Sequence, residues 1–453
     1  MIIKGSEEKR LQEFYEADGN QILFVSGQPN CGKEELFRQF TADKKFFYYR
    51  CRQADAKLQC QMLGKEIEKR FDVRLSSEQY EEYFKRVKSG DPSKLVIILD
   101  EIQYLLKKDK SILESLTKLK QRQLYPGPVM VILATSDLVW AGKDFRDIFG
   151  EFYRRLDSSI RIEDLNFLEV VRAFPDFSVS DCIKIYGVLG GVPGYLNRWD
   201  REKDFKTNIC NLVLKKEGYL FQEAENLIGF QLRELSVYNT ILFHIASGKN
   251  KLNDLFLATG FSRAKISVYM KNLAHFDIVE KLVSFETGGW ENAKKGIYQI
   301  NNTFVNFWYK FVYAHLSELY VLEPSDFYDR YIQPELDQYL TRYFRNVCME
   351  YLLLLNQIGR TPFAIHKMGT WVGKTGNIDI IAQSTDRRNI IGLCNWDKDE
   401  LSVEMCDDLA DSMEKAKINS KHFYLFSAKS FSQDIINYTK NDDRFVLIDM
   451  NEL

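Results

Sequence analysis

No run of 18 or more apolar residues occurs in the 453-residue chain, so no segment is long enough to cross a bilayer as a helix. The opening Met-Ile-Ile-Lys-Gly-Ser-Glu-Glu-Lys-Arg lacks the apolar core of a secretory signal, which makes the cytoplasm the expected location. Close cysteine pairs are also missing. Cys31, Cys51, Cys60, Cys182, Cys210, Cys348, Cys394 and Cys406 are scattered, with no C-x-x-C and no nearby histidine pair at zinc spacing, so free thiols are expected. Net charge is nearly absent: 62 Lys and Arg against 64 Asp and Glu leave −2, and any nucleic-acid footprint must be local to a domain. Low complexity is absent too, since 45% hydrophobic and 28% charged residues describe a folded chain and exclude a disordered or collagen-like one. At roughly 150 residues per domain, the length implies about three domains.

What is present begins with a strand, a loop and a helix. Gln21-Ile22-Leu23-Phe24-Val25-Ser26 is a short apolar run, and Leu36, Phe37 and Phe40 follow at helical spacing. Between them, Gly27-Gln28-Pro29-Asn30-Cys31-Gly32-Lys33 matches G-x-x-x-x-G-K. In that pattern glycines let backbone N–H groups surround phosphate oxygens at a helix N-terminus, while the lysine reaches the outer phosphates. A second apolar run, Leu95-Val96-Ile97-Ile98-Leu99, ends at Asp100-Glu101, where one carboxylate can hold Mg²⁺ and the other can orient a water. A third, Val129 to Ala134, ends at Thr135-Ser136 and would bring polar groups to the same sheet edge, where open α/β sheets bind ligands. Together the three elements indicate a nucleotide site.

Gly27 to Lys33, Leu99-Asp100-Glu101-Ile102-Gln103, Phe152-Tyr153-Arg154-Arg155 and Gly190-Gly191-Val192-Pro193-Gly194-Tyr195-Leu196 resemble the archaeal-type predicted ATPases, a family within the AAA+ and STAND-related P-loop NTPases. The resemblance implies ATP as ligand, Gly27, Gln28, Pro29, Asn30, Cys31, Gly32, Lys33 and Glu34 as the phosphate-binding loop, and Asp100 at the metal, with Glu34 a second metal candidate by its carboxylate chemistry. It makes Glu101, Ser136 and Arg155 the catalytic candidates, Arg155 as a phosphate sensor. It also places the Gly190 to Leu196 stretch in a small helical lid. From the residues alone, Arg154 and Arg155 read first as a solvated basic pair.

One departure matters chemically. The residue after the loop lysine is normally Ser or Thr, whose hydroxyl ligates Mg²⁺, and here it is Glu34. A carboxylate is a hard oxygen ligand, but its charge about 4 Å from a phosphate would cost roughly 4 kcal/mol at an effective dielectric of 20. Either Glu34 reaches the metal or it swings outward, and the expectation is nucleotide binding with weakened Mg²⁺ dependence and slow or absent turnover.

Residues 232–312 read as a winged helix. Ile241, Leu242 and Ile245, then Leu252, Leu255 and Phe256, then Ile266, Tyr269, Met270 and Leu273 mark three helices, with Gly260 and Ser262 as turn and cap. Ile278 to Phe285, a Gly288-Gly289 turn and Gly296 to Ile300 make a two-stranded wing. Tyr238 to Lys310 holds nine Lys or Arg and five Asp or Glu, hence +4. Arg263, Lys265 and Lys271 on the third helix, with Lys294 and Lys295 on the wing, are the candidates for duplex DNA phosphates. A packing module is the competing reading.

The tail, residues 325–453, is similar in sequence to the carboxyl-terminal domain of the same family, which resembles the PD-(D/E)XK nuclease fold. That fold holds Mg²⁺ between an Asp and a Glu, and uses a Lys to steer water. Here Asp379 stands at the first position, but the Glu-Cys-Lys-Trp of the family pattern reads Leu393-Cys394-Asn395-Trp396, so the metal-ligating Glu and the Lys are gone. Glu350 is a remaining candidate from the preceding helix, while Arg345 replaces an acid near that helix start. No phosphodiester hydrolysis is expected, and Asp379 reads as a remnant or a structural acceptor. Asp397 to Glu414 carries eight acids and one base, with Glu404, Asp407, Asp408 and Asp411 on one helical face, either solvated or facing a protein partner.

The expected architecture is therefore a multidomain α/β chain: a P-loop parallel sheet (1–162), a helical lid (163–231), the winged helix (232–312) and a degenerate nuclease-like domain (325–453).

Overall fold

The computed structural model describes residues 2, 4–87, 93–125, 127–230, 232–285, 296–373 and 376–450. They form two compact units, Met1–Leu165 with Val192–Asn197, and Asn166–Gly191 with Arg198–Leu453.

The first unit is built on five parallel strands, β1 (Gln21–Gly27), β2 (Phe46–Arg50), β3 (Leu95–Asp100), β4 (Val129–Thr135) and β5 (Ser158–Ile162), in the order β2-β3-β4-β1-β5. Successive side chains of a strand point to opposite faces, so a strand covered on both sides must be apolar throughout. Ile22, Phe24, Ile97, Leu99, Val131 and Leu133 enter one core, and Leu23, Val25, Val96, Ile98, Met130 and Ile132 enter the other. That explains the continuous apolar runs of β1, β3 and β4. Because all strands run the same way, β1, β3 and β4 deliver Gly27, Asp100 and Thr135 to one edge of the sheet.

The second unit contains three helices, Leu235–Ala246, Leu252–Thr259 and Arg263–His275, followed by an antiparallel ribbon of β6 (Val279–Leu282) and β7 (Ile297–Ile300). The expected turn and cap have local causes. Gly260 adopts a φ of +69° at the end of the second helix, and the Ser262 hydroxyl accepts the Lys265 N–H at 3.2 Å at the start of the third. The wing turn at Gly288-Gly289, with Lys294 and Lys295, lies outside the described residues.

Beyond the aromatic segment Phe304 to Tyr309, which is buried, the long helix Leu336–Gln357 lies against a mixed sheet. Its strands are β8 (Lys367–Val372), β9 (Asn377–Gln383), β10 (Asn389–Asn395), β12 (His422–Ser427) and β14 (Phe445–Asp449), in the order β14-β12-β10-β9-β8. A short parallel pair, β11 (Glu400–Leu401) and β13 (Ser430–Phe431), stands apart. β8, β9 and β10 pair antiparallel, whereas β10, β12 and β14 run parallel. The ribbon meets this tail directly: Val372 N–H donates to Ser284 Oγ at 3.2 Å, the Lys367 ammonium lies 4.4 Å from the Phe285 ring, and Arg342 approaches Glu280 at 3.8 Å.

Candidate functional site

The loop after β1 turns into the helix Lys33–Phe40 through two left-handed residues, Asn30 (φ +65°) and Gly32 (φ +85°). Gly32 is needed on both counts, since a side chain there would strain the backbone and bring its Cβ to 3.1 Å from Pro193. Gly194 donates its N–H to Asn30 O at 2.8 Å, and a Cβ on it would stand 2.8 Å from that oxygen. Val192–Asn197, expected in the lid, thus packs on the loop as part of the first unit. Cys31 is buried in the loop, and burial pushes its thiol up to about 12. It stays a protonated, unreactive thiol.

Lys33 is the centre of the site. Its Nζ donates to Asp100 Oδ1 at 2.7 Å, Glu101 Oε1 at 3.2 Å and Ser136 Oγ at 3.0 Å, and all four residues are buried. β3 and β4 bring the acids and the serine together, as their shared edge predicted. Glu101 has a φ of +52°, uncommon for a residue with a side chain. It is fixed by its own N–H donating to Asp100 Oδ1, by Ser136 Oγ donating at 2.6 Å to Oε1, and by Gln103 Nε2 donating at 2.7 Å to Oε2. Thr135 Oγ1 in turn holds Gln103 at 2.6 Å. Burial would raise the Glu101 carboxyl, but the Lys33 charge and the Gln103 and Ser136 hydrogen bonds outweigh it and hold the group below its ordinary value. Burial alone would lower Lys33, yet Asp100 and Glu101 reverse the sign and raise it.

Two contributors were not anticipated. Tyr48 donates its hydroxyl to Asp100 Oδ2 at 2.8 Å, and Arg50, the last residue of β2, donates to Glu34 Oε1 at 2.7 Å. Tyr48 and Arg50 line a cleft with Arg52 and Tyr104. Their signal is invisible without the sheet order, which places β2 beside β3 and pairs Arg50 with Asp100.

The loop and Lys33 suit a nucleotide's phosphates. The fit to a metal is partial: Asp100 offers a hard oxygen, but Glu34 is half exposed and turned to Arg50. Among the described residues no group of three or more His, Cys, Asp or Glu is arranged to hold a metal ion. Against the expected pairing of Glu34 with Asp100 around Mg²⁺, Glu34 is ion-paired with Arg50. Arg155 is corrected. It precedes β5, and β5 runs parallel to β1 with Leu23 opposite Ser158 and Gly27 opposite Ile162, so Arg155 is exposed at the far edge of the sheet from Lys33. A strand of this length separates the edges by roughly 20 Å.

In the second unit, Arg263, Lys265 and Lys271 are exposed on the third helix. Arg263 stacks 4.1 Å from the Phe256 ring and donates to Asn253, while Lys265 lies 4.6 Å from the Phe261 ring. In the tail, Glu350 accepts from Phe167 N–H at 2.8 Å and from the Tyr186 hydroxyl at 3.0 Å, so its expected place in a nuclease site is corrected to an anchor for two helices. Burial nevertheless leaves its carboxyl above the ordinary value. Asp379 accepts from Cys394 N–H at 3.0 Å and faces Arg345 at 3.8 Å. Leu393 packs with Ile381 and Leu425, and Asn395 is buried against Lys398 backbone and Ser427. Glu404, Asp407, Asp408 and Asp411 are exposed on the helix Val403–Ala416.

Residues 6–198 match a family model described as an ATPase domain predominantly from Archaea. This segment is similar to the archaeal-type ATPase domains. Residues 308–408 match a second model, described as archaeal and bacterial proteins of unknown function. An uncharacterized protein of Methanocaldococcus jannaschii is 24% identical over 426 residues, 92% of each chain. Among solved structures, a Walker-type ATPase of Pyrococcus abyssi is similar at 19% identity over 68% of this chain and 96% of its own, with a TM-score of 0.49. The ORC2 protein of Aeropyrum pernix, solved as ADPNP–ADP complexes, is 11% identical over 70% of this chain and 94% of its own, with a TM-score of 0.45. The matched segment begins before β1 and ends just past the Val192–Asn197 segment that packs on the loop. Among the described residues, no helix is long and apolar enough to cross a membrane.

Proposed function

We propose that the protein is an ATP-binding switch that hydrolyses ATP slowly or not at all. The observation that carries this reading is the buried cluster of Lys33 with Asp100, Glu101 and Ser136 at the mouth of a glycine-bearing loop. A triphosphate entering the loop competes with both carboxylates for Lys33, so binding must rearrange the cluster. A nucleotide that pairs with Lys33 only in the rearranged state shifts the equilibrium by its difference in affinity, with no need for turnover. Slow turnover follows from Glu34, which gives the metal no hydroxyl ligand and is engaged by Arg50.

Titration of labelled ATP with and without Mg²⁺, followed by phosphate release, tests the reading. Binding that survives chelation, with little release, is expected. A brisk Mg²⁺-dependent ATPase refutes the switch, and a Glu101→Gln variant then distinguishes true catalysis through Glu101. A thermal shift with ATP and ADP separates a ligand-binding loop from a vestigial one, because a ligand selective for the folded state raises apparent stability.

The three helices and ribbon are read as a winged helix. The exposed Arg263, Lys265 and Lys271 favour duplex DNA as its partner, in which case the chain is a DNA-associated regulator. The tail is read as a nuclease-like domain without activity, because Leu393 cannot ligate a hard cation and Arg345 already faces Asp379. Its exposed acidic helix is a surface for a protein partner.

A further inference from the structure

Glu34 occupies the first turn of the helix Lys33–Phe40, where a carboxylate would face the phosphates of any bound nucleotide. It is turned aside by Arg50, whose NH1 donates to Oε1 at 2.7 Å. The same guanidinium extends toward a second carboxylate, with NH2 at 3.9 Å from Glu101 Oε1. Arg50 can hold this place because it ends β2 opposite Asp100, so its backbone is pinned to the sheet edge that carries the acids. Tyr48, two residues earlier on the same face of β2, is bonded to Asp100 and keeps the strand end in register. Nearby acids keep the guanidinium charged: burial opposes the charge, while Glu34, Asp100 and Glu101 favour it and raise the group above its ordinary value.

We propose that Arg50 is a positioning residue for nucleotide binding, acting through Glu34. It draws the carboxylate away from the loop mouth and cancels its charge, allowing a triphosphate into a loop that carries an acid where a hydroxyl usually stands. The proposal rests on the nucleotide-binding reading above. It differs from a phosphate-binding arginine in one measurable respect: its effect exists only while Glu34 is present.

The test is a double-mutant cycle on the full chain. Affinity for a fluorescent ATP analogue is measured in chelator, which removes any role of Glu34 as a metal ligand, for the wild type, Arg50→Met, Glu34→Ser and the double variant. Arg50→Met is expected to weaken binding about tenfold, well short of the full like-charge cost because Glu34 is half exposed and screened by solvent, and less than twofold in the Glu34→Ser background. Arg50→Lys, which restores the charge, recovers most of the affinity. An equal weakening in both backgrounds overturns the proposal in favour of direct phosphate contact, and no weakening in either overturns it outright. Should Arg50→Met fail to fold, Arg50→Gln takes its place in both backgrounds, and a weakening that persists in the Glu34→Ser background refutes the idea. A wild-type chain that binds no analogue sinks the nucleotide reading itself, whereas binding by the wild type that Lys33→Ala abolishes leaves only the Arg50 step at issue.

Discussion

Replacing Lys33 with Met removes the cation between two carboxylates that are almost wholly out of water: the side chains of Lys33, Asp100 and Glu101 are 5%, 0% and 4% exposed. Deleting one partner of a buried pair leaves an uncompensated charge and costs on the order of 3 kcal/mol or more. For a unit of this size, each kcal/mol moves the midpoint by about 2–4 °C, so the ligand-free variant should melt roughly 6–12 °C below the wild type near pH 7.5. The pH dependence carries a sign that a packing defect alone would not. In the wild type, Glu101 is held below its ordinary 4.5, so its contribution is present above that value and is lost only as pH falls through the lower folded value. Wild-type stability from this group is therefore flat between pH 5 and 8. Without Lys33, burial, the largest influence on Glu101, raises its carboxyl; a raised acid binds its proton more tightly folded than unfolded, so the variant loses stability as pH rises. The gap between the two proteins should narrow from pH 7.5 toward pH 5, and Glu101→Gln in the Lys33→Met background should restore part of it. Differential scanning calorimetry across that range reads both effects. A midpoint within 1 °C of the wild type, or a gap that does not change with pH, would show that Lys33 is not neutralising buried acids.

Glu350→Ala strands the Phe167 N–H and the Tyr186 hydroxyl and should cost about 1–3 kcal/mol by urea unfolding, with Glu350→Gln costing less because one acceptor oxygen remains. Because burial raises Glu350 above 4.5, its contribution weakens as pH rises from the unfolded value through the folded one, and Glu350→Gln should lack that slope. Neutralising Arg263, Lys265 and Lys271 together should reduce the slope of log affinity against log salt for duplex DNA by up to about 3, one for each phosphate that then keeps its counterion, and an unchanged slope removes the DNA role of that helix. Supercoiled DNA incubated with the chain and Mg²⁺ or Mn²⁺ should remain intact, and any nicking that Asp379→Ala abolishes would overturn the reading of the tail as inactive.

The core of the first unit was legible wherever strands are buried on both faces. β1, β3 and β4 read as unbroken apolar runs because each side chain enters one of two cores. β2 and β5 were missed for the complementary reason: they are edge strands, and Phe46–Arg50 and Ser158–Ile162 bury only alternate residues. With β2 went Tyr48 and Arg50, the two site residues that no motif announces. In the tail, the absence of a metal ligand at Leu393 was plain from residue type. The diversion of Glu350 to Phe167 and Tyr186 was not, since hydrogen bonds across more than 160 residues leave no periodic trace.

The sequence by itself determined the chemistry available at the first sheet edge: a glycine-bearing loop, its lysine, two acids at one strand end and a serine at the next, each placed by local pattern. Only the tertiary structure decided which charges meet. Strand direction put Arg155 at the wrong end of β5, and sheet order put Arg50 beside Asp100. The resulting pairing turned Glu34 from a candidate metal ligand into the partner of an arginine, because a charge at a partly buried edge takes its nearest opposite, whichever strand supplies it.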